Sequence, residues 1–267
     1  MASVLEQLKL DGCRALVTGA TGHLGLVICE TLAELGADIV LVDQPGAEFA
    51  ALESRLRLNW NVELLSVPCD LEIENDRMSM IEHIRSTGAG LDILVNNAAF
   101  VGASGLAGWA TPFRDQSLET WRRAIEVNLT AVFHLCQAFV PLLACRSRGS
   151  IINIGSIYGE HGPDWRLYEG THMGNPAAYG VSKGGLAQLT RWLATTVAPG
   201  VRVNAIAPGG IARNQPESFV QQYVARTPLC RMATEEDFRG AVAYFASPLS
   251  AYVTGQVLHV DGGWGVW

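Results

Sequence analysis

The chain has 267 residues, 49% of them apolar and 17% charged, a composition able to bury a large core and unlike that of a disordered chain. Its 19 basic and 26 acidic residues leave a formal charge of −7, which argues against a nucleic-acid binder with its usual basic stripe. The length favours one α/β domain. Of the basic residues only Lys9 and Lys183 are lysines, so each merits a functional reading.

In chain order, residues 1–10 lack the apolar core of a signal peptide. Short apolar runs at 14–17, 38–42, 63–67, 91–95, 150–154, 202–206 and 256–260 then read as strands. Several are β-branched with almost no polar alternation, the pattern of strands covered on both faces. Helical spacing falls between them at 24–35, 47–58, 75–85, 117–143, 177–196 and 235–245. This alternation predicts a single-domain, doubly wound parallel sheet of about seven strands. Two stretches fit neither period: the Gly- and Ala-rich loop 102–111 and a long insert at 157–176. Loops of that length inside a domain are more often functional than idle. The greasy run 131–145 is interrupted by His134, Gln137 and Pro141 and is too short to span a bilayer. The six cysteines form no CxxC pair, so reduced thiols are expected rather than a disulfide framework or a zinc site, and no metal is predicted. A soluble, cytoplasmic chain is expected.

The first strand runs into Thr18-Gly19-Ala20-Thr21-Gly22-His23-Leu24-Gly25. Glycines at a strand–helix turn let the backbone approach a pyrophosphate, and the helix start offers free N–H groups. The second strand ends at Asp43, where a carboxylate can accept from both ribose hydroxyls of an adenosine and would repel a 2′-phosphate. No Arg or Lys lies in the loop. NAD is therefore expected in preference to NADP. Further along, Tyr179 and Lys183 stand four apart at a helix start and share one face. An ammonium beside a phenol lowers its pKa, which would make a general acid/base for alcohol–carbonyl interconversion.

With these pieces in place the sequence resembles the short-chain dehydrogenase/reductase family, whose fold is Rossmann-type, over nearly its whole length. The matching motifs are the glycine loop, Cys69-Asp70-Leu71, Asn96-Asn97-Ala98-Ala99, Val127-Asn128-Leu129, Ile154-Gly155-Ser156, the Tyr179/Lys183 pair, Ala207-Pro208-Gly209-Gly210 and Val260-Asp261-Gly262-Gly263. The resemblance implies that Ser156 polarises the substrate carbonyl while Tyr179 exchanges the proton. It implies that Lys183 binds the nicotinamide ribose and that Asn128 anchors a water leading protons to solvent. Asp70 would face the adenine and Asn97 the adenosine ribose. Gly19, Thr21, Gly22, His23, Leu24, Gly25, Asp43, Leu71, Ala98, Ala99, Pro208, Gly209 and Ile211 would complete the cofactor site. The chain departs from the family pattern in three places. His23 stands where a second glycine is usual, giving a TGxxGxxG spacing more typical of larger members that act on nucleotide sugars. Ser156 stands 23 residues before Tyr179, wider than usual, hence the insert. The threonine that often follows the Pro-Gly turn is replaced near Ala212-Arg213-Asn214.

The insert joins Ser156 to Tyr179 and should sit above the reaction centre. Its Trp165, Tyr168 and His172 are candidate substrate residues, with His161, Asp164 and Glu169 beside them, a mixture suited to a polyhydroxylated ligand. The insert also looks like that of bacterial members linked to surface-sugar biosynthesis. Packing of the insert on itself or on a neighbouring subunit is the competing expectation. Residues 210–228 are expected to form a lid, with Arg213 a candidate contact for a phosphate or carboxylate and a solvated Arg213 the competing expectation. The leading reading is hydride transfer between NAD and a secondary alcohol or ketone on a sugar-like substrate. A reductase of 3-oxoacyl thioesters or another apolar ketone is the second, and a non-catalytic nucleotide sensor the third. The resemblance implies a homodimer or homotetramer through the helices at 117–143 and 177–196, and the apolar tail Trp264-Gly265-Val266-Trp267 should seek cover.

Overall fold

Seven strands form one sheet in the order β3-β2-β1-β4-β5-β6-β7, every neighbouring pair parallel. They are β1 (Arg14–Thr18), β2 (Asp38–Asp43), β3 (Leu64–Pro68), β4 (Ile93–Asn96), β5 (Ser150–Ile154), β6 (Arg202–Pro208) and β7 (Val257–Val260) in a computed structural model that describes residues 3–101, 106–146 and 148–267. Part of the Gly- and Ala-rich loop, residues 102–105, therefore lies outside the described residues.

Period-two alternation decides which core each strand residue enters. Ala15, Val17, Ile39, Leu41, Ile152 and Ile154 pack on one face with Ile28 and Leu32 of α2 (His23–Glu34), Leu52 and Leu56 of α3 (Phe49–Asn59) and Phe245 of α9 (Arg239–Ala246). Leu16, Val40, Leu94 and Ile151 pack on the other with Ile84 of α4 (Glu74–Ser86), Phe139 of α6 (Ala131–Ala144) and Leu193 of α7 (Ala177–Thr196). Both faces are covered, which is why these strands carry so few polar residues. The strand order reverses between β1 and β4, and ligands of such sheets bind at the carboxyl ends there.

Several elements differ from expectation. The helix expected over 117–143 is two helices, α5 (Leu118–Ile125) and α6, joined without a break by a π-helical turn at Glu126–Thr130. The whole run Leu118–Ala144 is apolar and long enough to cross a membrane by length and composition; here Ala131, Leu135, Phe139 and Leu143 lie in the core beside the sheet. A short helix α1 (Val4–Leu8) opens the chain, capped by the reciprocal Ser3/Glu6 pair. The expected lid contains a regular helix, α8 (Glu217–Arg226). The helix expected over 235–245 starts as a 3₁₀ turn, Glu235–Phe238, before α9. The insert at 157–176 is built from two 3₁₀ turns, Ile157–Gly159 and Trp165–Tyr168. Its Ile157 and Leu167 form a separate small core with Phe219 and Tyr223 of α8 and with Trp264. All six cysteines are free, four of them buried.

Candidate active site

Beyond the carboxyl ends of β1, β2 and β4 lies a cleft of about 570 Å³. At one end the β1–α2 turn requires its glycines. Gly19 has φ +65°, and a Cβ there would lie 2.9 Å from the Ala98 backbone; a Cβ on Gly25 would lie 1.9 Å from the Gly19 carbonyl oxygen. Gly22 is the N-cap of α2 and no side chain caps that helix, so its first-turn N–H groups are left to the cleft. Asp43 Oδ2 accepts from the Thr21 amide (2.8 Å) and hydroxyl (2.7 Å), and Oδ1 accepts from the Gln44 amide. Asp43 thus lines the cleft and fastens the glycine turn as well.

The neighbouring wall is tied to this turn. The Asn97 and Ala98 amides donate to Thr18 Oγ1, while Asn97 Nδ2 donates to the carbonyls of Thr18 (2.9 Å) and Gly19 (3.0 Å). Asn97 therefore spends its amide group on joining β1 to β4 and borders the cleft with what remains. Asp70 accepts from the Glu72 amide as a turn former and also lines the cleft. Every expected cofactor residue borders this cavity: Gly19, Thr21, Gly22, His23, Leu24, Gly25, Asp43, Asp70, Leu71, Asn97, Ala98, Ala99, Tyr179, Lys183, Pro208, Gly209 and Ile211. Gln44, Val101, Arg213 and Gln215 line it too, without having been expected among the cofactor contacts. Arg213 is held by Glu235 at 2.9 Å.

At the other end stand Ser156, Tyr179 and Lys183. Ser156 follows β5 and its Oγ accepts from the Tyr158 amide. Tyr179 and Lys183 lie on the first turns of α7, whose N-terminus is set by Pro176. Lys183 is 3% exposed. Its Nζ donates to the Ile154 carbonyl at 2.7 Å and sits 5.9 Å from the centre of the Tyr179 ring. Burial brings the Lys183 ammonium down to about 8. Burial also pushes the Tyr179 phenol above its ordinary value, and the hydrogen bond with Ser156 offsets this only in part, while Tyr168 adds to the rise. The expected lowering of the tyrosine pKa by the lysine is thus overturned in this form of the protein. Desolvation outweighs a cation that is turned toward a backbone carbonyl. Tyr179 is consequently a phenol at neutral pH, poised to give a proton, with a serine hydroxyl beside it.

Asn128 lies in the π-helical turn, 1% exposed, behind the cleft wall. Its Oδ1 accepts from the Phe100 amide at 2.6 Å, and its Nδ2 donates to the Phe100 carbonyl (3.2 Å) and to Ser182 Oγ (3.0 Å). Ser182 Oγ donates in turn to the Tyr179 carbonyl at 2.8 Å. Asn128 therefore braces the start of α7, and one lone pair on Oδ1 is left for a further donor.

Trp165, Tyr168 and His172 are not brought into the cleft. They line a second cavity of about 880 Å³ with Phe113, Tyr158 and Met173, which shares no lining residue with the first. The reason is packing: the Tyr168 hydroxyl is 2.9 Å from that of Tyr158, and its ring lies 5.5 Å from Phe219 of α8. The insert docks on α8. The tail is covered only in part: Trp264 is 1% exposed, stacked on Tyr223 and lying 4.4 Å below the Arg226 guanidinium, whereas Val266 and Trp267 are exposed.

Sequence reading missed Arg77, an arginine on the first turn of α4 that is 2% exposed. A charged residue at a helix start normally faces water, so nothing local marks it. It missed equally the bidentate Arg123–Glu72 pair (2.8 and 3.0 Å), whose members are 51 residues apart.

Comparison with known proteins agrees with this geometry. The family model described as enoyl-(acyl carrier protein) reductase matches residues 19–265. A tropinone reductase homolog of Arabidopsis thaliana is 35% identical over 98% of this chain and 95% of its own length. A galactitol 2-dehydrogenase (L-tagatose-forming) of Cereibacter sphaeroides is 33% identical over 97% of both. The crystal structure of a gluconate 5-dehydrogenase from Burkholderia cenocepacia, in complex with NADP and tartrate, matches with a TM-score of 0.87 and 29% identity over 99% of this chain and 100% of its own. That of a short chain dehydrogenase from Leptospira borgpetersenii with bound NAD+ matches with a TM-score of 0.83 and 31% identity over 99% and 96%. A nucleotide cleft ending in a serine, a tyrosine and a lysine defines a dinucleotide-dependent oxidoreductase. The chain belongs to the short-chain dehydrogenase/reductase family.

Proposed function

We propose that the protein moves a hydride between NAD and a secondary alcohol or ketone carbon on a polyol or sugar-like substrate. The reading rests on one observation: Ser156, Tyr179 and Lys183 stand together at the far end of the glycine-walled cleft. The cleft suits a dinucleotide because α2 starts uncapped against it, behind a turn so tight that a Cβ on Gly19 or Gly25 would strike the protein's own backbone. When bound, the dinucleotide supplies the hydride-carrying carbon. Ser156 Oγ and the Tyr179 hydroxyl converge on the substrate oxygen, and Tyr179 gives or takes its proton. Lys183 holds the ribose beside them, and Asn128 steadies Tyr179 through Ser182. Asp43 favours a ribose with free hydroxyls, hence NAD.

A polyol substrate is supported by the galactitol and gluconate dehydrogenases among the similar proteins. Reduction of an apolar ketone or acyl thioester is the second reading, favoured by the aromatic lining of the second cavity, Phe113, Tyr158, Trp165 and Tyr168. A pure nucleotide sensor would have no use for the acid/base pair. Leu118, Phe133, Val181 and Trp192 are exposed on α5, α6 and α7, which supports a homodimer or homotetramer through those helices. The free cysteines support a reducing, cytoplasmic setting.

Two measurements test the reading. A reduced-nicotinamide absorbance screen over sugars, polyols, cyclic alcohols and acyl thioesters should find turnover with a polyol. Tyr179→Phe should then lose turnover by ~10²-fold or more and retain NAD binding; undiminished turnover refutes the mechanism.

A further inference from the structure

Arg77 is a fully buried guanidinium in a chain whose catalytic groups make no contact with it. One nitrogen, Nη1, donates to the carbonyl of Leu71, a wall of the cleft. Another, Nη2, is 2.7 Å from Oε1 of Glu126, the first residue of the π-helical turn, and Nε donates to His134 Nδ1 at 3.3 Å. A second strut runs beside it. Arg123 binds Glu72 through two hydrogen bonds and lies 4.8 Å over the Phe100 ring, and the Phe100 backbone holds the Asn128 side chain through its amide and carbonyl. Both struts therefore start on the turn at 70–72 and end at the segment carrying Asn128, which reaches Tyr179 through Ser182.

We propose that Arg77 and Arg123 are positioning residues that couple the adenosine end of the cleft to Asn128 and the catalytic turn of α7. The proposal rests on the cofactor reading above. Single π-helical turns inside α-helices occur often at functional sites. Nucleotide contact that orders the turn at 70–72 fixes the Leu71 carbonyl and Glu72. The two guanidiniums, each bound at both ends, then hold Glu126 and Phe100 in register. Arg is needed because it carries several donors in a rigid fork; Lys offers a point charge on a flexible stem. Buried Arg77 also requires its partners, since an unpaired buried charge is strongly destabilising.

Amide hydrogen exchange with ADP as the probe tests this without turnover, because ADP reaches only the adenosine end. In the unaltered protein ADP should slow exchange both at 69–73 and at 126–130, the latter by about fivefold or more, the lower range of ordinary coupling between sites. In Arg77→Met, ADP should still protect 69–73 but no longer 126–130. Arg123→Met, on a strut open to solvent, repeats the test should the buried replacement fail to fold, and should lose most of the same protection. In both variants kcat should fall by about tenfold while KM for the nucleotide stays within about twofold, and Arg123→Lys should not restore it. Protection of 126–130 that persists in both variants overturns the proposal, as does its absence in the unaltered protein while 69–73 is protected. Protection of neither segment by ADP overturns the cofactor reading itself and the coupling with it.

Discussion

Replacing Lys183 by Met should make the fold lose one of its pH dependences. In an unfolded chain this ammonium titrates at 10.5, and in the fold at about 8. Between those values the unfolded chain binds a proton that the folded chain does not, so stability rises with pH, by about 1.4 kcal/mol for each pH unit. The full interval corresponds to about 3 kcal/mol that the native state forgoes at neutral pH by burying a charge. Met has similar volume and no charge, but it leaves the Ile154 carbonyl, now 2.7 Å from Nζ, without its donor, at about 1–3 kcal/mol. The two contributions roughly cancel at pH 7. Their pH dependence does not cancel: from pH 7 to pH 10 the unaltered protein should gain about 2–3 kcal/mol relative to Lys183→Met. Urea unfolding followed by tryptophan fluorescence at several pH values measures this difference directly, and groups common to both proteins drop out. A stability difference that stays constant from pH 7 to pH 10 would refute the argument. It would mean that the lysine keeps its ordinary pKa in the fold.

Other consequences are simpler to read. Asp43→Ala should shift the ratio of NADP to NAD affinity upward by about tenfold, measured by titration with each dinucleotide, because a carboxylate at the ribose disfavours a second anion. Gly25→Ala should abolish nucleotide binding or folding, since its Cβ would stand 1.9 Å from the Gly19 carbonyl oxygen; circular dichroism and NAD titration decide which. Trp264→Ala should lower stability by about 3–5 kcal/mol in urea unfolding by emptying the small core under α8, and an effect below about 1 kcal/mol would show that this core contributes little.

The sheet was legible because continuous β-branched runs between helical stretches leave few alternatives, and all seven expected strands occur within a residue or two of their expected ends. That the expected cofactor residues would line one cleft was legible for the same reason: they sit at strand ends, where sequence position determines spatial position. What escaped was whatever depends on contacts between distant segments. The π-helical turn has the same apolar pattern as an α-helix, and α8 lay hidden in a stretch read as a lid. The direction taken by the insert was decided by Tyr168 meeting Phe219 and Tyr158, pairings that no local period announces. The tyrosine's acidity was misjudged because spacing on a helix reveals a neighbour but says nothing of burial.

Asp43 carries a consequence for how such a chain can change over generations. Its two carboxylate oxygens already bind Thr21 and Gln44, so the residue proposed to select the ribose also holds the glycine turn in shape. A lineage drifting toward a phosphorylated cofactor could not simply trade this acid for a neutral or basic side chain. The first such step would slacken the turn on which either cofactor depends, and an accompanying change at position 21 would have to restore it. On the proposed role of Asp43, cofactor choice is therefore guarded by architecture, and a switch would require at least two coordinated substitutions.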